Sequence, residues 1–274
     1  MQVVYATDGS PGSAAAGAFL RRMPLTPEDV ILLLAVDAPG PADGGGPVFD
    51  AALQALDGSL ARIESRRLPG QPAEQTVECA REVSADLIAL GPMGSSGLAR
   101  YLAVNVAERV LRDATTSVLV ARPVAHGMRR ALVALDTSRV SEAVMRAAAW
   151  LPLPLETELR LVTVLPPTES LTAGSPMIWA AATGDLDEIK EGSLKEAEAR
   201  LRELGRMVQH TRRAVAAEVL WGDPASTLVA AAKREEADLI VLGARGEGGV
   251  DDFLLGSVSE HLARNASCSV MVVR

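Results

Sequence analysis

Aromatic residues make up only 3% of the 274-residue chain. With them goes the stacking platform that single-stranded nucleic-acid binders build from aromatic rings. Positive charge is also short: 27 Lys and Arg stand against 35 Asp and Glu, for a formal net charge of -8. That sign opposes a phosphate-backbone footprint, and the basic residues are scattered rather than striped, so direct DNA or RNA binding is not expected. The two cysteines, Cys79 and Cys268, lie far apart with no metal or redox spacing, and read as reduced, buried thiols. The three histidines, His126, His210 and His261, form no spaced metal motif and no nucleophile-base set. No run approaches the roughly 18 apolar residues of a membrane span, and the opening MQVVYATDGS does not read as a leader. The expectation is a soluble, cytoplasmic chain without a membrane partner.

What is present is aliphatic. Hydrophobic residues reach 48%, supplied by Ala, Val, Leu and Ile, as suits strands buried between helices. Short apolar runs alternate with helical patterns: Val3–Ala6, helix Ser13–Met23, Val30–Val36, helix Phe49 to about Ser65, a poorly marked strand at Arg66–Leu68, helix Pro72–Val83, Leu87–Leu90, helix Val106–Arg112 and Val118–Val120. Asp37–Pro47 is too rich in Gly and Pro for regular structure. The pattern then restarts. Leu132–Leu135 with Asp136, Thr137 and Ser138 repeats Val4–Ser10 in kind, and Gly70 onward aligns on Gly222–Arg274 at a constant offset of 152. Over Ala85–Arg122 against Ala237–Arg274 roughly 17 of 38 positions are identical, the mark of a tandem duplication. Domains at 1–123 and 130–274 follow, with a short linker near Pro123–Arg129 that should keep them in contact. The second copy carries an insertion, Pro166–Gly184, before a long charged helix from about Asp185 to Val208. Met177, Ile178 and Trp179 suit it to fold over the site or the other half, or to form a surface flap.

Asp238–Ser259 reads DLIVLGARGEGGVDDFLLGSVS. A buried strand at Leu239–Leu242 ends in Gly243; Gly246 follows, and Gly256 and Ser257 open a helix with hydroxyls in its first turn. Strand, glycine loop and helix start suit phosphate: glycine permits close backbone approach, and free N–H groups at the positive end of the helix dipole donate without a basic side chain. The same residues also fit a flexible turn with Ser257 as a plain N-cap. No Gly-x4-Gly-Lys-Ser/Thr sequence is present, and no Gly-x-Gly-x-x-Gly opens a helix after a first strand.

Gly, two residues, Gly, nine residues, Gly and Ser resembles the ATP-binding signature of the universal stress protein family, matched by Gly243, Gly246, Gly256 and Ser257. The resemblance covers nearly the whole chain. It implies two α/β, Rossmann-like domains of the adenine nucleotide alpha hydrolase type, each a five-stranded parallel sheet in the order 3-2-1-4-5. Ligands in such sheets bind beyond the carboxyl ends of the strands, where the order reverses. For the second half it implies ATP, with adenine and ribose near Asp136, Val164 and Leu242, and phosphates on Gly243, Gly246, Gly256, Ser257, Val258 and Ser259. Asp136 before Thr-Ser is equally a helix cap. Glu247, Asp251 and Asp252 would repel a triphosphate unless Mg2+ or Mn2+ intervenes or they face solvent.

The first half keeps Asp8, Gly91 and Gly94, but Val104 and Asn105 replace Gly256 and Ser257. Its site should be empty or weak, although Arg100, aligned with Asp252, could partly compensate and a smaller ligand such as AMP is not excluded. By resemblance, Ser117–Ala121 and Ser269–Val273 are sheet edges that pair between domains, within the chain first and then between chains as a homo-oligomer. No catalytic machinery is legible, so hydrolysis would be slow at most. Two other readings stay open: a ligand-free structural or signalling dimer, and an enzyme of the related adenine-nucleotide group, such as a nucleotidyl transferase or weak ATPase.

Overall fold

The computed structural model describes residues 1–37, 48–92, 99–123, 127–136, 138, 140–167, 186–246 and 255–274. In the first half, β1 (Gln2–Ala6), α1 (Pro11–Arg22), β2 (Val30–Asp37), α2 (Asp50–Ala55), β3 (Arg62–Pro69), α3 (Pro72–Glu82), β4 (Leu87–Leu90), α4 (Ala99–Asp113) and β5 (Ser117–Val120) follow one another. In the second, β6 (Arg130–Ala134), α5 (Val140–Trp150), β7 (Glu158–Leu165), α6 (Leu186–Arg206), a 3-10 turn (Gln209–Thr211), β8 (Val215–Trp221), α7 (Pro224–Arg234), β9 (Leu239–Gly243), α8 (Ser257–Asn265) and β10 (Ser269–Val273) repeat the scheme.

Strand order is β3-β2-β1-β4-β5-β10-β9-β6-β7-β8 in one sheet, so each half has the expected 3-2-1-4-5 order with parallel neighbours. The central strands are apolar throughout because helices cover both faces; β4 and β10 are buried along their full length. One apolar layer joins α1 to Tyr5 and Leu33 and α5 to Val133 and Val241. The other joins α3, α4, α7 and α8 to Ile88, Val118, Ile240 and Val270. Burial pushes the Cys268 thiol up to about 11 and raises Cys79, in keeping with unreactive core cysteines.

The halves meet along β5 and β10, which pair antiparallel: Val120 with Val270, Leu119 with Met271 and Val118 with Val272. A near two-fold exchange of arginines seals the seam. Arg122 of the first half donates to the carbonyls of Ala263 (2.5 Å), Arg264 (3.3 Å) and Cys268 (3.1 Å). Arg274, its counterpart at the repeat offset, donates to Leu111 and, at 3.3 Å, to Arg112. Each guanidinium therefore sits on the carbonyl end of the other half's last helix, where a cation is favoured. Arg264 also pairs with Glu108 across the seam.

Three expected boundaries move. The helix expected to run to about Ser65 ends at Ala55, and the third strand begins at Arg62 rather than Arg66. RIESRRLP alternates Arg and Glu with half-buried residues because β3 is an edge strand, and charge there blunts pairing with other chains. α4 begins at Ala99, earlier than the Val106 expected. Asp37–Pro47 beyond its first residue, His126, Met177, Ile178 and Trp179 lie outside the described residues.

The seam carries a stability prediction. Met271 is 1% exposed between the halves, and Met271→Ala should cost about 3 kcal/mol, read as a lower urea midpoint at unchanged slope.

Candidate functional site

The crevice opens where β6 and β9 part. Their pairing stops at Val133 with Val241, whereas β1 and β4 continue to Ala6 with Leu90, one pair further. A cavity of about 730 Å³ lies at this opening, within the roughly 300–1,000 Å³ of small-molecule sites. All nine expected residues line it: Asp136, Val164, Leu242, Gly243, Gly246, Gly256, Ser257, Val258 and Ser259. Ala134, Val162, Pro166, Pro224 and Leu228 widen its apolar wall, and Arg245 adds a cation.

The polar wall is the start of α8. Gly256 is the N-cap, with no side-chain cap hydrogen bond, and Ser257 is the first helical residue rather than the cap. Gly256 N–H donates to the Ala244 carbonyl at 2.7 Å, and the first intrahelical bond runs from Glu260 N–H to the Gly256 carbonyl at 3.0 Å. The amides of Ser257, Val258 and Ser259 fall between these and take no partner among the described residues. They are the orphan donors of a helix start, aimed at the cavity.

Ser259 is placed differently from a phosphate-facing hydroxyl. Its side chain is 2% exposed and donates to the carbonyls of Gly243 (2.7 Å) and Ala244 (3.2 Å). It latches the end of β9 to the helix and leaves its amide for the cavity.

The two carboxylate oxygens of Asp136 face different ways. Oδ1 accepts from Ser138 N–H (3.1 Å), Ser138 Oγ (2.5 Å) and Ser141 Oγ (2.8 Å), capping the turn into α5. Oδ2 turns toward the glycine loop: a methyl on Gly246 would stand 2.8 Å from it. Sequence reasoning missed Ser141, buried at 1%, which also receives the Asp136 N–H at 2.8 Å. The signal was available, since Asp-x4-Ser occurs in both copies, at Asp8–Ser13 and Asp136–Ser141.

The first half departs from this at three points. α4 already runs through Asn105, the counterpart of Ser257, so the matching amides are paired inside a helix. Ala107 stands where the second half has the Ser259 latch. A methyl on Gly91 would lie 2.3 Å from the Gly12 carbonyl, so backbone meets backbone across the crevice. Val140 of the second half, the counterpart of Gly12, lines the cavity and faces Gly243 through its side chain, as does Val144 one turn further along α5. Burial raises the Asp8 carboxyl, but hydrogen bonds from Ser10 and Ser13 outweigh it and the net shift is downward. Gly94 and the side chains of Arg100, Val104 and Asn105 lie outside the described residues, as do Glu247, Asp251 and Asp252. Among the described residues no group of three or more His, Cys, Asp or Glu is placed to hold a metal, and no helix is long and apolar enough to cross a membrane.

α7 carries Pro224 and Leu228 into the cavity wall and is capped by Asp223, which accepts Ser226 N–H at 3.0 Å and Ser226 Oγ at 2.8 Å. The Ser226 hydrogen bonds hold the Asp223 carboxyl below its ordinary value. The stabilisation is therefore present above the unfolded carboxylate pKa and lost as pH falls through the folded one. Asp223→Ala should cost about 1 kcal/mol at neutral pH, and the gap from wild type in thermal midpoint should narrow on acidification below the ordinary carboxylate range.

The profile of the universal stress protein family matches residues 1–122 and again 127–274. Universal stress protein Rv2623 of Mycobacterium tuberculosis is 28% identical over 99% of this chain and 96% of its own length. Universal stress protein MJ0531 of Methanocaldococcus jannaschii is 36% identical over a stretch covering 36% of this chain and 59% of that protein. A universal stress protein from Archaeoglobus fulgidus shares the fold with a TM-score of 0.67 at 20% identity, over 100% of this chain and 96% of that one. Two successive profile matches and a full-length tandem relative, on a sheet in which each half repeats the same order, make this chain a two-domain member of the universal stress protein family.

Proposed function

We propose that the second domain, residues 130–274, binds ATP in the cavity between β6 and β9, and that the first, residues 1–123, is its structural partner. The observation that carries this reading is the set of three amides, Ser257 to Ser259, that take no partner among the described residues and belong to residues lining a cavity with an apolar opposite wall. The amides and Arg245 suit the phosphates, Asp136 Oδ2 suits ribose hydroxyls, and Val162, Val164, Leu228 and Leu242 suit the flat apolar face of a base. Gly246 and Gly256 let the loop lie close to its neighbours, because a Cβ there would meet Asp136 Oδ2 at 2.8 Å and the Ala244 carbonyl at 3.1 Å. The chain then acts as a regulatory module whose nucleotide state is read by other molecules, with hydrolysis slow at most. Asp136 is the one carboxylate among the described lining residues, and its Oδ1 is already committed to three hydrogen bonds.

Calorimetric titration of the full chain should give one ATP per chain. Gly256→Val should reduce the affinity by at least about 100-fold by displacing the loop from the phosphates, and should lower the thermal midpoint measured without nucleotide modestly, because Val crowds the Ala244 carbonyl and caps poorly. A second equivalent of ATP, or binding that survives Gly256→Val, would overturn the assignment to the second domain.

A further inference from the structure

We propose that Arg122, supplied by the first domain, is a positioning residue for the ligand cavity of the second, acting through α8. The proposal rests on the ATP reading above and adds to it a residue about one helix length, roughly 13 Å, from the phosphate end.

α8 has nine residues, and its two ends do different work. Its amino end presents the Ser257, Val258 and Ser259 amides to the cavity and is tied to β9 by the Ser259 hydroxyl. Its carboxyl end has carbonyls with no helical partner, and these are gripped from outside the domain: Arg122 reaches Ala263 at 2.5 Å, Arg264 at 3.3 Å and Cys268 at 3.1 Å. One planar guanidinium thus fixes both the last turn and the chain leaving it toward β10, which a single-point ammonium cannot do. The Arg122 N–H also donates to Ser269 Oγ at 3.0 Å, tying the same arginine into the seam.

Leu255 joins the two regions. It lines the ligand cavity directly before Gly256, and it also lines a small crevice between the domains with Ala107, Glu108 and Leu111 of α4. The loop that should touch the phosphates is therefore packed on the first domain at one end of α8 and clamped by the first domain at the other. Amides recognise an anion only from the right distance and direction, so a helix that rocks or slides loses phosphate affinity first. Arg122 also places positive charge at the negative end of the α8 dipole, adding to the attraction of an anion at the opposite end.

The test compares ATP with adenosine, which has the base and ribose but no phosphate. Both are titrated into the full chain as wild type, Arg122→Met and Arg122→Lys, adenosine by competition, with thermal unfolding run in parallel. Arg122→Met should raise the ATP dissociation constant about tenfold and leave that of adenosine unchanged. Arg122→Lys, which keeps charge without the fork, should fall between. Should Arg122→Met fail to fold, Arg122→Lys alone carries the comparison, with weakened ATP and unchanged adenosine. Equal weakening of both ligands, or unchanged ATP affinity, would overturn the proposal and leave the ATP reading standing. Absence of ATP binding by the wild type would remove both.

Discussion

The antiparallel pairing of β5 with β10 is the contact on which the remaining architecture depends. Val118, Leu119, Val120, Val270, Met271 and Val272 are each no more than 1% exposed, so the seam is the middle of the core. Two parallel sheets that would otherwise end in apolar, unpaired edges become one ten-stranded sheet. The exchange of Arg122 and Arg274 adds charge-assisted hydrogen bonds at both ends of the seam, and burial lowers both guanidinium pKa values. The two halves are energetically one body, because removing either leaves a row of backbone donors and carbonyls without partners.

Both copies inherit the same strand order and the same switch point, and they differ locally among the described residues of the crevice. Glycine at position 12 lets α1 meet Gly91 backbone to backbone, while valine at 140 meets Gly243 through its side chain. A helix that begins at Ser257 leaves amides free, while one that begins at Ala99 has paired the corresponding amides internally. Between Val104–Asn105 and Gly256–Ser257 the place where the helix starts shifts, a backbone difference.

Much of this was legible in the sequence because the determinants are local. Strands such as Leu87–Leu90 and Leu239–Gly243 are uninterrupted aliphatic runs stopped by glycine, and the repeat offset fixed which element matched which. Seven of the nine expected site residues, Leu242 to Ser259, share one cavity because a strand end, a glycine loop and a helix start are consecutive in the chain, and the parallel order of β9, β6 and β7 brings Asp136 and Val164 beside them. What escaped was set by neighbours distant in sequence. The start of β3, Arg62–Ser65, reads as the tail of a helix because an edge strand needs no apolar run, and its partner is β2 rather than anything nearby. The Ser259 hydroxyl reads as a phosphate donor until the Gly243 carbonyl is seen beneath it. Arg122 ends a strand among unremarkable residues, and only the crossed pairing of the halves brings it to the carbonyls of a helix more than 140 positions away.

Carrying both halves on one chain changes what selection can do with them. Two identical subunits meeting along such a seam must mutate in step, so any residue that improves a site appears twice and any residue that improves a support appears twice as well. Here every seam joins unlike halves at an effective concentration fixed by a linker of a few residues. Each half is therefore free to diverge at its own crevice without loss of pairing. The single chain behaves as an obligate heterodimer whose stoichiometry needs no control of expression.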